Sequence, residues 1–356
     1  MKAIFNNSDY FLFTLLAGKN TSGELTKLLP IKHYKPGSFV LLPYQNPQTQ
    51  KPKPFFYEII KKTNVEVVEE NKTNPEFFLE AKTSKQKYIQ NLIQLKEHIQ
   101  QGNIYEINYC IEFFAENVAI DPLSVFMKLN ALSKAPYASL VKLNDDFIIS
   151  ASPELFLKKE GNLLYTKPIK GTAKRGKNAE EDELLKTTLF TNIKERTENV
   201  MAVDVARNDL SQVAKKGSVH VNKLYNIETF ETVHQMVSTV SCELKGNTSF
   251  ETIIDATFPM ASMTGAPKIS AMQLIDKFEN FDRNFYSGAM GVVDENEDFT
   301  LAVNIRSIFY NQKTKRLSIA VGSAITYLCE PEKEYDECLL KAGALLKALG
   351  AKIRQL

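Results

Sequence analysis

Tryptophan is missing altogether from the 356-residue chain, and cysteine and histidine occur only four times each. Cys110, Cys242, Cys329 and Cys338 form no CxxC pair, which excludes the usual zinc modules and, at this length, argues against a disulfide framework. Reduced, buried thiols in a cytoplasmic protein are the expectation. The histidines are equally scattered, so no His-based metal centre is visible. No apolar run reaches the ~18 residues a membrane helix needs. Phe11–Ala17 is the apolar stretch near the N-terminus, and Asp9 stands where a signal peptide would carry positive charge, so it reads as a buried element. Charge of one sign is not in excess either. Lys and Arg total 44 against 42 Asp and Glu, a formal net charge of +2, which gives no overall field for nucleic acid or an anionic membrane. Repeats and low-complexity tracts are absent.

What remains is the composition of a soluble globular chain, 44% hydrophobic and 24% charged. Its length implies one large domain or two closely packed ones. Gln45–Pro54 carries three prolines and little to bury, and reads as a surface loop. Glu69–Ser84 is polar around a short apolar island, and reads as the link between a short N-terminal region (1–80), packed on the main domain, and the main domain itself (82–356). Tyr88, Leu92, Leu95 and Ile99 then recur at helical spacing up to Gly102. Strand-like runs follow at Ala138–Leu143, Phe147–Ser150, Leu301–Tyr310 and Leu317–Val321. Helical runs are Glu180–Asn192, Thr197–Val205, Lys268–Phe278 and Glu334–Leu349. Without a regular βαβ alternation the fold class is α+β.

Four segments hold polar residues that a core does not need. In ASPELF (Ala151–Phe156), Glu154 sits in an apolar run after a strand, where desolvation favours a protonated carboxyl suited to a general acid; a strand-end Glu facing water is the plainer alternative. In Lys167–Lys177, Gly171–Lys177 nearly spells a P-loop. Asn178 replaces the Ser or Thr that would bind Mg²⁺, and the following helix opens with Glu180, Glu181 and Asp182, which compete with phosphate for its N-terminus. The P-loop is therefore set aside. In Thr257–Met272, a Gly265-Ala266-Pro267 turn opens an apolar helix, and its free N–H groups with Ser262 and Thr264 suit either an anion or a simple cap. Finally, Glu195/Glu198 and Glu334/Glu337 are i,i+3 pairs on two helices. Each pair is a solvated face taken alone, but if the helices meet, the pairs make a hard oxygen site for Mg²⁺. Arg306 interrupts an apolar strand and needs a partner, for which a substrate carboxylate is one candidate.

In this order the segments resemble the chorismate-utilising enzymes, which include the anthranilate, aminodeoxychorismate, isochorismate and salicylate synthases. The motifs run from about Lys82 to Leu349: GNIYEIN (Gly102–Asn108), ASPELF, PIKGTAKRG (Pro168–Gly176), TENVMAVDVARNDL (Thr197–Leu210), ETVHQMVS, TGAPKISAM, RNFYSGAMG (Arg283–Gly291) and EYDECLLKA (Glu334–Ala342). The resemblance implies the fold of anthranilate synthase component I, two facing β-sheets covered by helices, with chorismate bound between them and Mg²⁺ as cofactor. It assigns Glu198 and Glu337 to the metal, with Glu334 in or beside its shell. Arg306 and the backbone from Gly322 through Ala324 to Ile325 would cradle a carboxylate, and Tyr286, Gly288, Gly265 and Lys341 would line the substrate site. Ser262, Thr264 and His234 would stand around the ring and its departing hydroxyl, with Glu154 as acid/base.

PIKGT resembles the aminodeoxychorismate synthases within this family, where Lys170 would be the nucleophile; anthranilate formation is the second reading, and a non-catalytic chorismate- or partner-binding subunit is the reading from another class. Glu106 stands where amidotransferring members carry Gln, and GSAIT (Gly322–Thr326) replaces a glycine-rich run. No glutaminase motif is present, so ammonia is expected from solution or from a separate glutamine amidotransferase subunit.

Overall fold

Alternate burial along the strands sets the architecture. In the strand Asp146–Ser152, Ile149 packs under helices while its neighbour Ile148 points the other way, into a layer shared with Phe39, Leu41 and Met290. A strand with two buried faces must have a second sheet on one side and helices on the other, and that is the arrangement found. The computed structural model describes residues 8–15, 22–44, 53–67, 76–231 and 233–354. Most of the expected Gln45–Pro54 loop, the start of the Glu69–Ser84 link and the end of the Phe11–Ala17 run lie outside these residues.

One half of the sheet pairs Glu106–Ala115 with Arg316–Ile325, and continues antiparallel through Ser307–Asn311, Asp146–Ser152, Tyr137–Leu143 and Tyr10–Leu15. The other half runs through Ser38–Leu42, Ala289–Val293, Phe299–Val303, Leu155–Glu160, Leu163–Thr166 and Val233–Glu243. Ser22–Ile31 and Phe55–Glu66 pair with each other and join the halves into one hydrogen-bonded ladder. Strands before residue 80 thus pair directly with strands of the remainder.

The halves are also bridged at a corner. Asp146–Ser152 passes into Leu155–Glu160 there, and Phe299–Val303 passes into Ser307–Asn311, each pair running antiparallel to the other. The run read from sequence as one strand, Leu301–Tyr310, is therefore two. It breaks at Asn304–Arg306, where Arg306 takes φ +52°. Apolar periodicity continues across the break because both pieces are buried, so composition alone does not reveal it.

Helices α1 (Lys85–Gln100), α2 (Pro122–Ser133) and α7 (Pro331–Leu349) cover the first half, with Leu92, Leu95, Phe126 and Leu345 in its core. Of the others, α4 (Ile193–Val213) and α5 (Phe250–Thr257) cover the second, through Val203, Leu210, Ile253 and Ile254. The remaining two are α3 (Ala179–Thr191) and α6 (Lys268–Phe278). Ser84, Asp121, Asn178, Asn192 and Ser249 each accept a hydrogen bond from a first-turn N–H of α1 to α5, and Gly350, at φ +69°, ends α7. All four cysteines are buried free thiols. Among the described residues no helix is long and apolar enough to cross a membrane.

Candidate active site

Lys170 owes its direction to a bulge. Ile169 pairs with Val237 and Thr172 with Gln235, so Lys170 and Gly171 together oppose a single residue of the partner strand. Gly171 takes φ +89°, and a Cβ there would meet Glu195 and Leu189. Only glycine fits, and the kink buries the Lys170 side chain. Its ammonium donates to the Glu106 carboxylate, itself buried on Glu106–Ala115. Burial alone would discharge the ammonium, but Glu106, Glu198 and Glu154 more than reverse this and hold it charged.

Glu154 lies at the corner between the sheet halves and is 6% exposed. Burial pushes its carboxyl up to about 7, against the opposing pull of the Ser262 hydroxyl, Lys170 and Lys341. Ser262 Oγ faces it without a hydrogen bond to any other group. Glu154 and Ser262 line one small cleft with Pro168, Asp209 and Met260.

The two acidic pairs do meet. Lys194 Nζ lies 2.8 Å from Glu334 Oε1 on α7 and 3.8 Å from Glu198 Oε1 on α4. Both carboxylates are buried, and among the described residues Glu198 Oε1 and Glu334 Oε2 have no hydrogen-bond partner. Burial lifts the Glu198 carboxyl to about 8, against Lys170 and Lys194. Glu195 is likewise raised by burial. For Glu337, burial is outweighed by Lys341, 2.6 Å away, and the carboxyl is lowered. The Glu198 and Glu334 oxygens are hard, desolvated and already gathered around the Lys194 ammonium, with Glu337 one turn on from Glu334, and this donor set fits Mg²⁺. No three acidic or imidazole groups among the described residues converge tightly enough to hold an ion unaided, so ligand and water oxygens would complete the shell. Lys194 was not singled out from sequence, although its i,i+4 spacing to Glu198 was a legible sign.

A second cluster centres on Arg306 and could take an anion. Arg306 Nη1 donates to the Lys341 carbonyl, and Lys341 Nζ to the Gly322 carbonyl. No carboxylate among the described residues pairs with Arg306, whose guanidinium is lowered by burial. The Gly322 carbonyl that meets Lys341 points away from the paired strand. Antiparallel geometry puts the Gly322 and Ala324 N–H groups on that same side.

Some expected residues take other roles. Both His234 ring nitrogens are engaged, Nε2 with Asp182 and Nδ1 with Thr229, and its ring is fully buried, so neither nitrogen is left for a reacting group. Thr264 donates to the Met260 carbonyl, and Gly265–Ala266 pairs with Ile107 and Glu106. Pro267 stands at the N-cap position of α6, and no side chain caps the first-turn N–H groups there. Tyr286 is buried with its hydroxyl toward Cys110 Sγ, while Gly288 gives room for the Leu42 carbonyl. Asp182 takes the Arg175 fork and the Gly176 N–H, and so fills the place where a P-loop would hold phosphate.

Comparison with known proteins places this geometry. The chorismate binding enzyme family matches residues 29–347. The chloroplastic aminodeoxychorismate synthase of Arabidopsis thaliana is 38% identical over 75% of this chain and 29% of its own length. Aminodeoxychorismate synthase component 1 of Bacillus subtilis is 36% identical over 74% of this chain and 55% of its own length. Anthranilate synthase component 1 of Acetivibrio thermocellus is 34% identical over 80% of this chain and 57% of its own length. The chain thus spans little more than half, or less, of these relatives. Two solved structures share the fold. Anthranilate synthase component I of Streptococcus pneumoniae has a TM-score of 0.74 at 23% identity, covering 88% of this chain and 82% of that one. The menaquinone-specific isochorismate synthase of Escherichia coli has 0.75 at 15%, covering 96% and 89%.

Proposed function

The chain belongs to the chorismate binding enzymes, and on that premise we propose that it aminates chorismate with ammonia to 4-amino-4-deoxychorismate, a precursor of p-aminobenzoate and folate. The observation that carries the reading is Lys170, a buried amine in contact with Glu106 and within the field of Glu154 and Glu198. The similarity to aminodeoxychorismate synthases supports it.

Arg306 and the outward N–H groups of Gly322 and Ala324 would hold the enolpyruvyl carboxylate by a fork and two backbone bonds. Glu198 and Glu337, with Glu334 beside them, would hold Mg²⁺, which supplies positive charge for the ring carboxylate when bound. Before reacting, the Lys170 ammonium must lose a proton, and Glu106 is the carboxylate in contact to take it. The freed amine attacks C2 of the ring, the double bond shifts, and the C4–O bond breaks. Glu154, protonated up to about pH 7 by its burial, gives its proton to the departing hydroxyl, which leaves as water. Ammonia then adds at C4, the double bond returns, and the C2–N bond to Lys170 breaks, restoring the lysine. Ammonia would come from solution or from a separate glutamine amidotransferase.

The test is product identity. The purified chain, incubated with chorismate, Mg²⁺ and an ammonium salt, is expected to give the para-aminated product by mass and absorbance. Anthranilate as the main product would transfer the reading to the ortho-aminating members.

A further inference from the structure

At the corner where the sheet halves join, Asn304 is fully buried, and neither Nδ2 nor Oδ1 has a hydrogen-bond partner among the described residues. A buried amide with both ends unsatisfied is destabilising, and sequences retain such groups where something else satisfies them. The backbone around it is not strained for want of partners. Asn304 N–H donates to the Gly288 carbonyl, and the Ser287 N–H donates to the Asn304 carbonyl. The preceding residue, Val303, donates its N–H to the carbonyl of Glu154, and Arg306 passes its carbonyl to the Ala151 N–H. Asn304 thus follows a residue bonded through its main chain to Glu154, the acid of the proposed mechanism, and lies two residues before Arg306, which pairs with no carboxylate among the described residues.

We propose that the Asn304 side chain is a substrate-binding group, its Nδ2 donating to a carboxylate or ether oxygen of the ligand and its Oδ1 accepting from a ligand hydroxyl. A ligand with both functions on one ring satisfies both orphaned atoms at once, whereas a purely apolar or purely anionic ligand leaves one end unpaired. The inference rests on chorismate being the substrate, and it deepens that reading by adding a polar contact between Glu154 and Arg306.

Asn304→Leu, close in volume, separates binding from structure. Removing two unsatisfied polar atoms leaves the Tm of the free protein unchanged or higher. The same change lowers kcat/KM for chorismate at least tenfold, mainly through KM, and shrinks the Tm rise that chorismate gives with Mg²⁺. Should the leucine variant not fold, Asn304→Ala is read for kcat/KM. A kcat/KM within twofold of wild type, in whichever variant folds, overturns the proposal. So does a leucine variant that loses Tm and activity together, as it would if an internal water held the amide in the fold. A wild-type chain that shows neither a Tm rise nor turnover with chorismate overturns the substrate reading itself, and this assignment with it.

Discussion

Glu154 and Glu198 are both buried carboxylates, yet their surroundings divide them into two kinds. Burial lifts Glu154 to about 7 although a hydroxyl and two lysines in its field pull it down. It is therefore poised to hold a proton at neutral pH and to give it up when a leaving group needs one. Glu154→Gln is expected to reduce kcat by about 10²–10⁴-fold, the range for a lost general acid. At constant free ammonia, wild-type kcat should fall as pH rises through about 7, because the acid form disappears, and the glutamine variant should lack that limb. Glu198 is lifted by burial to about 8, and its Oε1 has no hydrogen bond among the described residues, only the Lys194 ammonium 3.8 Å away, which suits a carboxylate that takes a cation. Mg²⁺ should raise the Tm of the wild-type chain. It should do so much less in Glu198→Ala or Glu337→Ala, both of which should also lose turnover. An equal Tm rise in these variants would remove the metal assignment. At this scale sequence reasoning singled out Glu154, Lys170, Glu198 and Arg306 because each breaks an apolar run or sits in a dense motif. It did not find that Glu106 pairs with Lys170, since the two are 64 residues apart and only packing joins them. His234 misled for the opposite reason: its motif is dense, but Asp182 and Thr229 satisfy the ring inside the fold.

Among the elements, the bulge at Lys170–Gly171 buries a strand lysine against Glu106. Gly171→Ala would place a methyl against Glu195 and Leu189 at a positive φ. A loss of about 1–3 kcal/mol is expected from strain of this kind, with activity falling further than stability because Lys170 moves. Urea unfolding alongside kcat measures the two. A different tie orders the segment after α6. The Arg283 guanidinium, 1% exposed, binds Glu279 and also donates to the Met263 and Asn108 carbonyls. Glu279→Gln leaves that cation uncompensated and should cost about 3–5 kcal/mol, again by urea unfolding. Helix positions were legible from their 3.6-residue spacing and caps: α3, α6 and α7 fall close to their expected ranges, whereas α4 extends beyond the expected Thr197–Val205 at both ends. The strand break at Asn304–Arg306 was not, because its signal is a backbone dihedral at one residue and not a change in composition.

For the whole molecule, the two facing sheet halves and their helices put the amine, the acid, the acidic helix ends and the anion cradle into one region from segments that lie far apart in sequence. The chain carries no glutaminase motif, so activity is expected with ammonium at raised pH, where more NH₃ is free, and little with glutamine until an amidotransferase is added. Efficient glutamine use by the pure chain would contradict that division. The central claim is that the Lys170 amine bonds to the ring, and it is tested by trapping the enzyme during turnover with chorismate, Mg²⁺ and limiting ammonia. The account predicts a chorismate-derived mass on the peptide spanning Pro168–Lys174, lost in Lys170→Ala although that variant still binds chorismate. It also predicts the para-aminated product from wild type. No adduct, with anthranilate as the main product and Lys170→Ala unchanged in rate and product, would contradict it and leave Lys170 as a charge partner of Glu106.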